Sequence, residues 1–456
     1  MSTTYTIQVT SSKDSRIHLP STTMKDGPVN QISFGSRSVP CKVLYKRNIE
    51  NRIVLPKEIA TNLMLPDKGK IHLFFKDGSL HLGALVGVFT AGFTGSILRP
   101  LGERSLFFAK YLSMDQSVGV FSFVFGSNHI NWEDGTINGF IYDTDGWKQA
   151  LFPFPNAVYD RLPNRRVEKH QKFKLVKKRF TEDYSIPWYN PGFFNKWTIH
   201  KLLIHDTLAA KYLPATYHPP SISRMEEMLA SYQSIYLKPA NSSLGNGVYQ
   251  LMYSREDNHY YCRYRDEKKK NRLVRHPSIE HFLKKTFKDE LSHFIAQQGI
   301  KLLRIDGKPV DFRVHTNKDE EGVWRVTAIA AKIAGKGSVT THLNNGGVVK
   351  TIEEIYEDEQ ERKIALQNLT NSSIILSKSI DAKVRGFVGE IGFDLGIDQN
   401  GGIWMFEANS KPGRSIFCHP ELKEADILSR KASLEYGLFL SKQAIYNPEE
   451  LIYEEV

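Results

Sequence analysis

The segment Gly389–Gly413 constrains this chain more than any other: Gly-Glu-Ile-Gly-Phe-Asp-Leu-Gly-Ile-Asp-Gln-Asn-Gly-Gly-Ile-Trp-Met-Phe-Glu-Ala-Asn-Ser-Lys-Pro-Gly. Asn400-Gly401 between two apolar runs is the strongest short-range signal for a two-residue hairpin turn. With that turn Gln399 faces Gly402, Asp394 lies directly opposite Glu407, and Gly392 lies opposite Asn409. The side-chain period of two then puts Asp394, Glu407 and Asn409 on one face. Phe393, Leu395, Ile397, Trp404 and Phe406 fall on the other, which reads as core. Two carboxylates ~5 Å apart repel by about 3 kcal/mol at an effective dielectric of ~20. Opposed like charges weaken a hairpin, unless a cation lies between them. Mg²⁺, which takes a few carboxylates together with substrate phosphates, fits that requirement. The alternative is a solvated edge hairpin with two unrelated acids.

Two further segments carry chemistry. In Ile235-Tyr-Leu-Lys-Pro-Ala-Asn-Ser-Ser-Leu-Gly-Asn-Gly-Val248 a strand delivers Lys238 to a small-residue loop holding Gly245 and Gly247. Such loops let backbone N–H groups approach phosphates beside a lysine point charge, although a glycine-rich turn after a strand is also common as plain structure. It is not a P-loop, since the chain contains neither G-x-x-x-x-G-K-[ST] nor G-x-G-x-x-G. In Asp311-Phe-Arg-Val-His-Thr316 alternation puts Asp311, Arg313 and His315 on one face, and the run Val323–Ile333 after the next loop carries Lys332. Arg313 and Lys332 on adjacent strands could clamp a transferring phosphoryl group; solvated charges are the plain alternative.

The remainder of the chain sets bounds. Its 456 residues allow about three domains. Hydrophobic residues at 41% against 24% charged exclude a disordered or fibrous chain. A net charge of +11 suits an anionic partner. Three widely spaced cysteines form neither a disulfide framework nor a zinc pattern and fit a reducing, cytoplasmic setting. The uncharged run Leu82–Leu98 is glycine-interrupted and too short for a membrane span, so it reads as a buried strand and a loop. The basic runs Arg165–Arg179 and Lys268–Arg272 lack interleaved stacking aromatics beyond Phe173 and Phe180, which disfavours nucleic acid. Short strands with turns indicate a β-rich module over residues 1–82. Strand, helix and strand indicate a small α/β domain over 83–185, and long helices with hairpins fill 186–456. Lys196–Tyr212 reads as a helix stopping before Pro214.

In this order and spacing, strand-Lys-Pro with its glycine loop, Asp-x-Arg, and Asp followed by Glu-x-Asn-x-x-Pro-Gly resemble the ATP-grasp superfamily of carboxylate–amine/thiol ligases over about Trp188–Tyr446. Together with Tyr159-Asp-Arg-Leu-Pro163 and Asn344–Gly347, the chain looks like the YheC/YheD endospore coat-associated group of that superfamily. The resemblance implies an ATP-grasp fold preceded by a small α/β domain and the β-rich module. It implies Mg²⁺ ligands at Asp394, Glu407 and Asn409, and phosphate-binding lysines at Lys201 and Lys238 beside Gly245 and Gly247. It implies an adenine hinge at Gln297, Gln298, Gly299 and Ile300, and phosphate-side cations at Arg313 and Lys332. The expected reaction uses ATP and Mg²⁺ to join a carboxylate to an amine or thiol through an acylphosphate, releasing ADP and phosphate. The acceptor and donor are left unspecified, and spore-coat proteins are the implied partners. A nucleotide-binding coat scaffold without catalysis is the rival reading. Lys332 departs from the superfamily, which often has arginine there and so a bidentate phosphate contact.

Overall fold

The computed structural model describes residues 3–11, 14–241, 247–288 and 290–451. It is a mixed α/β protein whose strands gather into four sheets. The first is eight-stranded and spans Tyr5–Gly83, with the short helix Lys57–Leu63 entered through Pro56. The second is seven-stranded and spans Leu85–Tyr189. At its centre Leu85–Phe89 and Phe121–Phe125 pair in parallel, joined through the helix Ser105–Leu112, and all ten residues are buried. The uncharged run at Leu82–Leu98 is therefore a strand covered on both faces and the loop that leaves it, and no helix among the described residues is long and apolar enough to cross a membrane. One apolar core, from Ile7 through Phe89 and Phe154 to Trp188, is shared by the first two sheets.

The third sheet, six strands within Thr216–Gln298, is covered on one face by the helices Ile222–Tyr232 and Ile279–Phe287. The fourth, six strands within Arg304–Asn409, packs on the helix Glu359–Asp381. The last helix, Lys423–Tyr446, returns to the second sheet, where Leu434 and Leu438 join Ala84 and Val86 in a common core. Tyr189 ties the two ends together: its hydroxyl donates to the Ser433 carbonyl at 2.9 Å and its backbone bridges Phe387 beside the fourth sheet. The helix expected over Lys196–Tyr212 stops at Leu203. The Asp206 carboxylate accepts the N–H groups of Leu208 and Ala209, and a 3₁₀ turn over Ala210–Tyr212 follows.

The hairpin turn differs from expectation. Strands Glu390–Ile397 and Ile403–Asn409 are joined by a longer loop in which the Asp398 N–H donates to the Gly402 carbonyl and Gly401 takes φ +82°. The Asp398 carboxylate causes this by accepting the N–H groups of Asn400 and Gly402, both at 2.8 Å. Near the turn the register is shifted by one residue, so Ile403 and Met405, not Trp404 and Phe406, are buried. A bulge at Phe406 then restores the expected pairing of Asp394 with Glu407 and of Gly392 with Asn409.

Candidate functional site

A cleft lies between the third and fourth sheets, and five strands and one helix supply its charged groups. Strands Lys308–Lys318 and Trp324–Ile333 pair so that Asp311 faces Lys332 and Arg313 faces Ala330, whose methyl leaves the guanidinium room. The other edge of Lys308–Lys318 pairs with Glu390–Ile397 and sets Arg313 opposite Asp394. Asp394 is thus flanked by Arg313 on one side and Glu407 on the other. Arg313 donates to both Asp394 oxygens at 3.0 Å, and Lys332 Nζ lies 2.8 Å from Asp394 Oδ1 and 3.0 Å from Asp311 Oδ1. Burial alone would raise the Asp394 carboxyl, but Arg313 and Lys332 outweigh it and hold the group well below the usual carboxylate range. For Asp311 burial wins: its carboxyl is raised, Lys332 opposing and Asp394 adding.

From the third sheet, strand Ser234–Pro239 presents Tyr236 and Lys238 to the cleft on alternate positions. Lys238 Nζ donates to Gln297 Oε1 at 2.6 Å and sits over the rings of Tyr236 and Phe406, at 5.3 and 5.5 Å. Burial pushes its ammonium from 10.5 down to about 8, Glu407 opposing and Lys196 assisting. Gln297, Gln298 and Ile300 line the same cleft. At Gly299 the chain passes so close to Ser234 that its N–H donates to the Ser234 carbonyl at 2.9 Å, and a Cβ would collide with that backbone.

Lys201 is exposed and is not brought to the cleft; Lys196, at the start of the same helix, is. Five residues turn a helix by about 140°, so the two lysines point to different sides. Lys196 Nζ lies 3.2 Å from Glu407 Oε1. A sequence signal for it existed: Asn195 caps the helix, and a lysine in the first turn opposes the helix dipole unless an anion is near. Phe406 is a second residue the sequence did not indicate; the bulge turns it into the cleft. Thr340, Thr341 and His342, from the loop after Ile333, also line the cleft, Thr341 donating to Asp311 Oδ2. Gly247 takes φ +69°, while Gly245 lies outside the described residues.

The cleft gathers four cations (Lys196, Lys238, Arg313, Lys332) against three carboxylates (Asp311, Asp394, Glu407), a net of +1. That charge favours a polyanion. Among the described residues no group of three or more His, Cys, Asp and Glu forms a metal cage. A cation held here would use Asp394, Glu407 and oxygens of the bound anion, which is the sparse, hard-donor pattern of Mg²⁺. Asn409 lies two residues along the strand from Glu407, opposite Gly392, and is not among the residues that line the cleft.

A model of the YheC/D-like ATP-grasp domain matches residues 185–440. The chain is 44% identical over 448 residues to the Bacillus subtilis endospore coat-associated protein YheD, covering 98% of each chain. To the B. subtilis endospore coat-associated protein YheC it is 22% identical over 282 residues, covering 61% of this chain and 77% of that one. Among solved structures, the VanG D-Ala:D-Ser ligase of Enterococcus faecalis aligns over 78% of this chain and 99% of that one, at a TM-score of 0.44 and 14% identity.

Proposed function

The chain belongs to the YheC/D-like ATP-grasp family, and from that premise we propose that it is an ATP-dependent carboxylate–amine or carboxylate–thiol ligase, associated with the endospore coat as its relatives' names say of them. One observation carries the reading: Lys196, Lys238, Arg313 and Lys332 converge on one cleft with Asp394 and Glu407. The hinge residues Gln297–Ile300 and the Phe406 and Tyr236 rings would take the base, and Lys238 and Lys196 the phosphates.

An acceptor carboxylate oxygen attacks the γ-phosphorus while the bond to the β–γ bridging oxygen breaks, giving an acylphosphate and ADP. An amine or thiol then attacks the acyl carbon and loses a proton, and inorganic phosphate leaves. Arg313 and Lys332 face the charge that develops on the transferring group. Asp394 and Glu407 would hold Mg²⁺, which when bound supplies charge neutralisation at the β- and γ-phosphates. No protein nucleophile takes part.

Two outcomes follow. Lys238→Ala and Lys196→Ala should each weaken ATP binding at least roughly tenfold while AMP changes little, because both lysines serve the outer phosphates. Equal losses for ATP and AMP in calorimetry would take them off the phosphates. Lys238 also gives a pH signature. In the free protein its ammonium loses its proton at about 8, well below the ordinary value. ATP affinity should hold steady below about pH 7 and fall by up to tenfold per unit above 8, with proton uptake on binding. Stability moves the opposite way: the unfolded lysine holds its proton to higher pH, so this group's contribution improves as pH rises through that window. Lys238→Arg should flatten the affinity profile, and a wild-type affinity unchanged between pH 7 and 9.5 would contradict the assignment.

A further inference from the structure

The third sheet reaches well beyond the cleft, and its outer strands present a face that the ligase reading leaves unused. Strands Tyr249–Ser254, His259–Arg265 and Asn271–His276 bury Leu251 and Cys262 beneath the two helices. Their alternate residues point the other way, and register continues that second face from the cleft: Tyr236 pairs with Gln250, Gln250 with Arg263, and Arg263 with Leu273. Arg265 and Arg275 lie on the same face, Arg275 opposite Tyr261. Leu273 is 56% exposed, a large apolar side chain set among arginines. None of the three strands places an acid on this face. In the connecting turns Asp257 accepts from the Tyr261 hydroxyl and Asp266 from Arg272 at 2.7 Å, while Glu256 and Glu267 are exposed at the turns and not on the strands.

The face adjoins the cleft. Arg265 donates to Asn345, and Asn271 donates to the Lys336 carbonyl at 3.1 Å, so it abuts the loop whose Thr340–His342 segment lines the cleft.

Resting on the ligase reading, we propose that this outer face docks an acidic stretch of polypeptide that is the carboxylate acceptor. Two strand spacings, about 10 Å, separate Arg263 from Tyr236 in the cleft. An extended chain rises ~3.3 Å per residue, so an acid held by Arg263 leaves another, about three residues along, at the cleft mouth. A small dicarboxylate could not touch the cleft and the arginine face at once. A nucleic acid would match the charge but brings no carboxylate, and among the described residues the outer strands offer only the rings of Tyr261 and His259 on this face for stacking.

The test uses a fluorescent glutamate-rich peptide, its glutamine counterpart and single-stranded DNA, with anisotropy on the full chain and on Arg263→Glu/Arg275→Glu. The glutamate peptide should bind, the glutamine peptide should not, and the double variant should lose at least roughly tenfold. Both proteins should bind Mg²⁺-ATP alike by calorimetry, and the peptide should raise ADP release only from the wild type. Arg275→Glu alone, at an exposed position, should show the same direction if the double variant melts early. Equal peptide binding by wild type and variants, or DNA that binds more tightly than the peptide and displaces it, would overturn the proposal while leaving the ATP site standing. Failure of the wild type to bind Mg²⁺-ATP would instead remove the ligase reading, and the acceptor role with it.

Discussion

Asp394→Asn should destabilise the fold by about 3 kcal/mol as well as abolish metal–nucleotide binding. The carboxylate accepts two hydrogen bonds from Arg313 at 3.0 Å and one from Lys332 at 2.8 Å, in a site where its side chain is 14% exposed. Breaking a buried pair from one side costs about 3–5 kcal/mol, because the other charge is left uncompensated. Lys332 keeps Asp311 at 3.0 Å, which places the cost at the lower end of that range. Acid sharpens the comparison. A carboxyl held well below its ordinary range stabilises the folded state above its unfolded pKa near 4, and that stability is lost as pH falls. The variant should therefore melt earlier at neutral pH yet show a shallower acid decline. Equal melting curves at pH 7 would mean that the Arg313–Asp394–Lys332 cluster contributes nothing to the fold.

Glu407→Gln separates the metal from the fold. The Glu407 side chain is 21% exposed, with one ion pair to Lys196 at 3.2 Å, so removing its charge should cost about 1 kcal/mol or less. As one of the two anionic ligands proposed for the metal it should matter far more to the nucleotide: Mg²⁺-ATP affinity is expected to fall about a hundredfold, ~2.8 kcal/mol, while metal-free AMP binding is kept. Calorimetry and thermal melting on the same preparation check both halves. An unchanged Mg²⁺-ATP isotherm would remove Glu407 from the metal site.

What was legible in the sequence and what was not divides along physical lines. Period-two alternation is local, so the shared face of Asp311, Arg313 and His315 and the facing of Asp394 and Glu407 could be read directly. The second of these survived a wrong turn, because the Asp398-capped loop and the bulge at Phe406 are offsetting one-residue shifts. The same bulge hid Phe406 as a cleft residue. The resemblance implies Lys201, whereas Lys196 is the lysine at the cleft, because helix phase is set by what the helix packs on, which one segment does not reveal. The docking of the last helix was not legible either. Leu434 and Leu438 pack on the second sheet and Tyr436 against Gly389 by the fourth, so no single apolar stripe marks its orientation. A core common to the first two sheets is likewise a property of tertiary packing.

In the proposed reaction the γ-phosphoryl group passes to a carboxylate in the cleft between the third and fourth sheets. Its most direct measurement gives the wild type Mg²⁺-ATP with an ¹⁸O-carboxylate-labelled pool of acidic peptides and metabolites and a pool of amines and thiols, with Glu407→Gln in parallel. ADP and inorganic phosphate are expected in equal amounts, with ¹⁸O carried from the carboxylate into that phosphate, and neither from the variant. AMP with pyrophosphate would contradict this reaction in favour of attack at the α-phosphorus, and ADP release no greater than that of Glu407→Gln while nucleotide still binds would contradict it and leave a nucleotide-binding scaffold.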